Sequence, residues 1–256
     1  MLYPRIIPCL LVHNKGLVKT VNFKESKYIG DPINAVKIFN EKEADELMIL
    51  DIDASVKEKE PDYKMIENLA IECRMPLCYG GGIKTVAQAR KIFNLGVEKI
   101  AISSSAVTNP QLVAEIAKEV GNQSVVVVLD IKKKMFGGYD IYTENGTKKS
   151  TENLETLIDK FQNYGVGEIV LNSIDNDGRM KGYDIALIDK IKPTIDVPLT
   201  VLGGAGSLDD IQNLINKYGI IGASAGSLFV FKGKYKAVLI NYPNRDEKKK
   251  IIQSHN

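Results

Sequence analysis

The chain has 256 residues, of which 44% are hydrophobic and 26% charged, a composition typical of a globular protein with one large core. A formal net charge of +2 argues against a protein that binds nucleic acid through a strongly basic surface. No apolar run reaches membrane-spanning length and the N-terminus lacks a signal-peptide pattern, so neither a membrane nor a nucleic-acid partner is predicted.

Apolar runs alternate along the chain with segments of helical periodicity. The predicted strands cover residues 5–12, 47–52, 76–79, 99–102, 124–130, 168–173 and the apolar runs of 197–229. Predicted helices cover residues 32–44, 62–73, 85–95, 110–120, 154–164 and 184–192, with others in 208–218 and from 232 to the end. The long polar segment 13–30 is predicted to be a lid or binding loop, and residues 132–149 a small hairpin with an Asn-Gly turn.

The stretch 75–107 reads as strand, glycine turn, helix, strand and serine turn. Glycines allow backbone N–H groups to approach a ligand closely, and hydroxyls beside a helix N-terminus complete an anion site. We therefore expect Gly81, Gly82 and Ser104 to hold one phosphate.

The stretch 197–229 repeats this pattern in the second half of the chain. Gly82 corresponds to Gly204, 122 residues later, and Ser104 corresponds to Ser227, 123 residues later. Isolated Gly-Gly turns recur by chance in α/β proteins, but two in matched strand–turn–helix–strand contexts indicate an internal repeat.

Eight strands alternate with helices and no linker separates them, which predicts an α/β fold. We expect a single (β/α)8 TIM barrel over residues 1–256, with an internal two-fold half-barrel repeat. The halves would cover about 1–122 and 123–256. An open doubly wound sheet is the alternative. In a barrel the functional face is the C-terminal end of the strands, where two cradles on opposite sides would suit a long ligand with two phosphates.

Cysteine and histidine are scarce. Cys9, Cys73 and Cys78 show no paired spacing, which indicates buried thiols in a reducing, cytoplasmic compartment. His13 falls in a predicted loop and His255 in the C-terminal tail, an arrangement that argues against a histidine-rich metal site. No metal and no cofactor are predicted.

Segments on seven of the eight predicted strands resemble the cyclase subunit of imidazole glycerol phosphate synthase, the HisF family. The segments are RIIPCL, DELMILDIDAS, GGGI, VEKIAI, VVVVLDIK, GEIVLNSIDNDG, GYD and GGAG. The resemblance implies a barrel that takes ammonia from a HisH-type glutaminase, its heterodimer partner. It also implies addition of that ammonia to a bisphosphorylated ribonucleotide in histidine biosynthesis, a lyase reaction of a glutamine amidotransferase system.

The same resemblance implies roles for individual residues. The phosphate contacts would be Gly82, Ser104, Asp177, Gly178, Gly204, Gly226 and Ser227, with Lys19 as the loop lysine that closes over the ligand. Family members also have a ring of charges around an ammonia path at the N-terminal end of the barrel. Arg5, Glu46, Lys99 and Glu168 match that ring. Two cations and two carboxylates can neutralise one another where isolated buried charges would be costly.

Catalysis in the family is assigned to two aspartates at symmetric strand ends. Asp130 matches one of them, but Leu11 occupies the other position, and leucine neither donates nor accepts a proton. Ser103 and Leu202 also replace polar groups that the family usually presents. General acid–base help is worth about 10²–10⁴ in rate, so the resemblance implies a severe loss of cyclase activity.

Three interpretations follow. The favoured one is a HisF-like subunit that binds a phosphorylated small molecule and conducts ammonia to a third protein, another amidotransferase in a surface-sugar amidine pathway. The second is a working cyclase that makes imidazole glycerol phosphate and aminoimidazole carboxamide ribotide. The third is a HisA-type isomerase, against which the charged ring argues.

Overall fold

A computed structural model describes residues 3–253 of the chain, with the side chain of Gln253 left out, so His255 lies outside the described residues. The strands are β1 (Arg5–His13), β2 (Gly16–Val21), β3 (Lys24–Gly30), β4 (Leu47–Asp51), β5 (Leu77–Gly80), β6 (Lys99–Ile102), β7 (Val125–Lys133), β8 (Tyr139–Thr143), β9 (Lys148–Lys149), β10 (Glu168–Ser173), β11 (Leu199–Leu202), β12 (Gly222–Ala225), β13 (Phe231–Lys232) and β14 (Ala237–Val238). Within residues 3–253, no helix is long and apolar enough to cross a membrane.

Eight parallel strands close into a barrel in the order β1-β4-β5-β6-β7-β10-β11-β12, with β12 paired back to β1. When the paired residues are followed from strand to strand around the barrel, staying within the ladders requires a shift of two residues along β6, two along β10 and four along β1. The resulting shear of 8 is that of a TIM barrel. The predicted (β/α)8 barrel is therefore confirmed, and the open doubly wound sheet is wrong.

The helices are α1 (Pro32–Glu41), α2 (Tyr63–Glu72), α3 (Val86–Asn94), α4 (Ser104–Thr108), α5 (Gln111–Val120), α6 (Leu154–Asn163), α7 (Ile185–Ile191), α8 (Leu208–Tyr218), α9 (Ser227–Val230) and α10 (Arg245–Gln253). Their apolar faces pack on the outside of the barrel in one continuous core, to which Phe39 and Phe161 contribute fully buried rings. This packing buries the hydrophobic stripe that each helical periodicity predicted.

The two halves share their helix N-caps. Asp31 on α1 corresponds to Asn153 on α6, Asp62 on α2 to Asp184 on α7, and Thr85 on α3 to Ser207 on α8. Each pair is 122 residues apart, and the last pair forms a capping box in both halves. Side-chain caps satisfy orphan N–H groups at helix starts. Their repetition supports the proposed division of the chain near residue 122.

Three hairpins lie at the mouth, the C-terminal end of the barrel, and two of them extend barrel strands. The prediction of a loop over residues 13–30 is wrong, because β2 and β3 pair antiparallel to each other and β2 pairs with β1. The hairpin predicted over 132–149 is confirmed, with β8 paired to both β7 and β9. The prediction of helix from residue 232 onward is wrong up to 244, since β13 and β14 form a third hairpin before α10 begins.

Candidate functional site

A closed ring of ion pairs lies at the N-terminal end of the barrel. Arg5 pairs with Glu46 and, at 2.8 Å, with Glu168. Lys99 Nζ lies 2.9 Å from a carboxylate oxygen of each of the same two glutamates. Thr200 Oγ1 donates a further hydrogen bond of 2.6 Å to Glu168. The structure therefore brings together all four residues that the resemblance assigned to a charged ring.

Electrostatics favour the charged form of the ring. Glu46 and Glu168 are each only 3% exposed. Burial alone would raise the pKa of Glu168, but the Arg5 guanidinium and the Lys99 ammonium hold that pKa below its ordinary value. Burial alone would lower the pKa of Lys99, but the two carboxylates hold it above its ordinary value. Two cations and two anions thus compensate one another in a site that would penalise any one of them alone.

The barrel interior between the ring and the mouth is apolar. Its lining comes from residues that alternate along the strands and point inward, namely Ile7, Cys9, Met48, Cys78, Ala101, Val126, Val128, Val170 and Leu202. Burial raises the pKa of the Cys9 thiol to about 12 and that of Cys78 well above its ordinary value, so both thiols are uncharged at neutral pH. The lining therefore suits a small neutral molecule better than an ion.

The mouth holds a cavity that is open to solvent. Its lining includes three leucines, Leu11, Leu50 and Leu202, and three carboxylates, Asp51, Asp130 and Asp177. Leu11 and Asp130 occupy equivalent places in the two halves, since each is where its barrel strand begins pairing with the adjoining hairpin. The position matched to a family aspartate thus presents an aliphatic side chain to the same cavity.

Asp130 is held by two neighbours. Asn172 Nδ2 donates a hydrogen bond of 2.8 Å to one carboxylate oxygen, and Ser103 Oγ donates a longer one of 3.4 Å to the other. Burial raises the pKa of Asp130 to about 7, against the opposing effect of these two hydrogen bonds. An acid with this pKa can give or take a proton near neutral pH.

Asp130 should make stability depend on pH. Because its pKa is about 7 in the folded protein and 3.8 in the absence of perturbation, the folded state binds more protons between these values. Stability from this group is therefore lost as pH rises through that window. We expect Asp130→Asn to melt at a higher temperature than the parent near pH 8, by about 2–4 °C for each kcal/mol of relieved penalty, with the difference shrinking towards pH 5.

Melting curves across pH test this expectation, with Asp159→Asn as the control because Asp159 is exposed on α6. The control should leave the pH profile unchanged. A difference between Asp130→Asn and the parent that is the same at pH 5 and pH 8 would contradict the assignment.

The predicted first cradle lies after β5 and β6. Gly81 and Gly82 line the mouth cavity with φ of 126° and 73°, backbone conformations that favour glycine. A Cβ on Gly82 would also come within 2.9 Å of Ala54 Cβ. Close packing alone therefore requires glycine at this position, whether or not a ligand binds here. Ser104 is the first residue of α4, and its Oγ accepts a hydrogen bond from the Glu144 N–H at 3.1 Å.

The Glu144 contact belongs to a turn that crosses the mouth. Residues 144–147 join β8 to β9, and Asn145 Nδ2 donates a 2.7 Å hydrogen bond to the carbonyl of Ile52, which follows β4. Gly146 in this turn lies close to Phe23, the residue in the turn between β2 and β3, because a Cβ on Gly146 would be 3.1 Å from the Phe23 ring. Two hairpins therefore meet over the cavity.

The predicted second cradle lies after β11 and β12, four strands away around the barrel and hence on the opposite side of the mouth. It encloses a smaller space lined by Gly204, Gly226, Ser227, Asp177 and Gly178 among others. Ser227 is a buried residue whose side chain lines this space.

Lys19 enters this second cradle from β2. Its Nζ lies 3.0 Å from Asp177 Oδ1, and both side chains are buried. Thr20 Oγ1 donates a hydrogen bond of 2.7 Å to the other carboxylate oxygen of Asp177. A Cβ on Gly226 would come within 2.7 Å of Lys19 Cε. Lys19 is thus a strand residue held against one cradle, rather than part of a loop above the whole mouth.

Sequence reasoning did not identify the contacts of Asn172 and Asn145. Asn172 was detectable, because it continues the inward alternation of β10 from Glu168 through Val170. The carbonyl oxygen of its amide is buried and lacks a partner among residues 3–253. No periodicity predicted that Asn145 would reach across to Ile52, because that contact depends on how two distant segments fold together.

Comparisons with known proteins agree with this geometry. A family model described as "Histidine biosynthesis protein" matches residues 5–236. A provisionally named imidazole glycerol phosphate synthase subunit hisF3 of Vibrio vulnificus is 60% identical over 254 residues, 99% of this chain and 98% of that protein. A provisionally named HisF of Leptospira borgpetersenii is 59% identical over 98% of this chain and all of that protein. The HisF subunit of Streptococcus sanguinis is 38% identical over 90% of this chain and 91% of that protein.

Proposed function

The chain belongs to the HisF family of imidazole glycerol phosphate synthase subunits, and from this premise we propose that it conducts ammonia from a HisH-type glutaminase to another amidotransferase. One observation supports the proposal: the charged ring and the apolar interior, which we take as the bore for ammonia, occur together, while Leu11 stands at the mouth where the family has a second aspartate. A protein that retains the conduit without the paired acid and base is suited to transport more than to cyclisation.

The ring acts as the entrance in this proposal. Ammonia is small and neutral, so the proposal has it pass the ring where hydrated ions are excluded, and the uncharged bore would keep it unprotonated. The glutaminase would dock on the N-terminal face of the barrel. That face carries the exposed Glu98, one residue before Lys99 of the ring, and Glu98 would be available to a partner.

The mouth acts as the exit and as a ligand site. A phosphorylated small molecule would place its anionic groups at the two cradles, with Gly82 and Ser104 on one side and Gly204, Gly226 and Ser227 on the other. The bound ligand would cover the bore until the acceptor enzyme is in place. No metal or cofactor has a role in this scheme.

A reduced cyclase is the second candidate. Asp130 keeps a pKa of about 7 and faces a cavity with cradles on opposite sides, which favours some residual chemistry on a bisphosphorylated substrate. Leu11 then limits that chemistry, because it can neither give nor take a proton at the position of the second family aspartate. An isomerase of the HisA type would have no use for the ring.

The origin of the transferred nitrogen separates these candidates. A conduit delivers the amide nitrogen of glutamine to a product made by a separate acceptor enzyme. A cyclase places the same nitrogen in imidazole glycerol phosphate without any third protein. Isotopic labelling of glutamine tests this difference directly.

A further inference from the structure

Two of the hairpins concentrate positive charge around the mouth. Residues 132–149 and 231–238 together carry eight lysines against two carboxylates, Asp140 and Glu144. The whole chain has a net charge of only +2, so the rest of the molecule carries a net charge of −4. The barrel is therefore electrostatically polarised, with its excess of positive charge at the exit of the bore.

The two carboxylates are already engaged. Asp140 pairs with Lys134 at 3.1 Å and with Lys149 at 2.7 Å, and Glu144 pairs with Lys148. Among the described residues, no carboxylate lies within ion-pair distance of the five remaining lysines, which are Lys132, Lys133, Lys232, Lys234 and Lys236. Unpaired cations at one end of a molecule favour an acidic partner and speed its encounter.

Large apolar side chains stand at the tips of the same hairpins. Met135 and Phe136, in the turn between β7 and β8, are 91% and 97% exposed, and Tyr235 between β13 and β14 is 90% exposed. An exposed methionine and aromatic rings surrounded by cations have the composition of an interface anchor. They are unlike scattered surface leucines because they occupy protruding tips on one face.

We propose that this mouth face, formed by the 132–149 and 231–238 hairpins, docks an acidic surface of the acceptor enzyme. Met135 and Phe136 insert into an apolar recess of that enzyme, and the unpaired lysines contact its carboxylates. This inference rests on the proposed function, because ammonia that leaves the bore must reach its acceptor before it enters bulk water. The basic hairpins rise on the side where the bore opens.

The test compares glutamine-driven with ammonium-driven transfer, using the purified glutaminase–barrel complex and the acceptor amidotransferase that the proposed function requires. Met135→Ser/Phe136→Ser should raise at least tenfold the concentration of complex needed for half-maximal glutamine-driven transfer. Lys132→Glu/Lys133→Glu should do the same through charge. Ile71→Ser is the matched control, because Ile71 is an exposed apolar residue on α2 away from the hairpins.

The outcomes are distinct. Ammonium-driven transfer should be the same with the parent complex and with each variant complex, because it does not require docking of the barrel on the acceptor enzyme. If the parent complex supports no glutamine-driven transfer, the proposed function fails and the docking inference fails with it. If the parent supports transfer and both hairpin variants match it, only the docking inference is overturned.

An anionic membrane is the competing occupant of a basic, apolar-tipped surface. Sedimentation with phosphatidylcholine vesicles, with and without phosphatidylglycerol, measures how much of the protein binds to a membrane. We expect no binding to either. Binding to the anionic vesicles that is lost in Met135→Ser/Phe136→Ser, with transfer unchanged, would overturn the inference and assign the face to a membrane surface.

Discussion

Supplied with ammonium and the bisphosphorylated family substrate, the purified barrel is expected to turn over about 10²–10⁴-fold more slowly than a HisF subunit that carries both aspartates. The physical reason is the aliphatic side chain of Leu11, which lines the mouth cavity where a proton donor or acceptor would be needed. Asp130 remains, but neither it nor the other carboxylates that line the cavity, Asp51 and Asp177, occupies the position of Leu11.

Leu11→Asp should raise the turnover rate of the barrel at least tenfold. The new carboxylate would stand at the start of the pairing between β1 and β2, as Asp130 stands at the start of the pairing between β7 and β8. Leu50→Asp is the matched control, since Leu50 pairs with Leu11 across neighbouring strands and lines the same cavity. Steady-state formation of imidazole glycerol phosphate provides the measurement. A parent barrel that turns over normally would refute the argument from Leu11.

Breaking the charged ring should cost more stability than any other single conservative change considered for this chain. Glu168→Gln leaves Arg5 and Lys99 facing one carboxylate instead of two, in a site where Glu168 is only 3% exposed. Removing one partner of a buried ionic network typically costs about 3–5 kcal/mol. We expect Glu168→Gln to lower the free energy of unfolding by about 3 kcal/mol, the lower end of that range, because Arg5 and Lys99 keep some contact with solvent.

Denaturant unfolding measures that cost, with Glu115→Gln as the control because Glu115 is exposed on α5. The control should change the free energy of unfolding by no more than about 0.5 kcal/mol. Equal stability of Glu168→Gln and the parent would show that the ring is not a compensated network. The loss in Glu168→Gln should also persist at high salt, because a buried pair is screened much less than an exposed one.

Much of the fold could be predicted from local patterns. Apolar runs predicted the barrel strands, and the spacing of Gly82 with Gly204 and Ser104 with Ser227 predicted the repeat. The ring was predicted from the family resemblance, and the position of its four residues at or just before strand starts made it physically plausible. The strands and the repeat depend on residue type and period alone.

The mouth was harder to predict, because tertiary contacts determine it. Residues 16–30 lack the clean alternation of a half-buried strand, since most of β3 is exposed, and pairing with β1 stabilises the hairpin instead. The burial of Lys19 depends on Asp177, which is 158 residues away in sequence. No local signal reports a contact of that range.

The central claim is that nitrogen travels through the barrel without mixing with the solvent. The most direct measurement supplies amide-¹⁵N glutamine together with excess unlabelled ammonium to the glutaminase, this chain and the acceptor enzyme, and reads the label in the product. We predict a product that carries mostly the glutamine nitrogen. A product whose label is diluted to the proportion of ¹⁵N in the bulk ammonium would contradict the account.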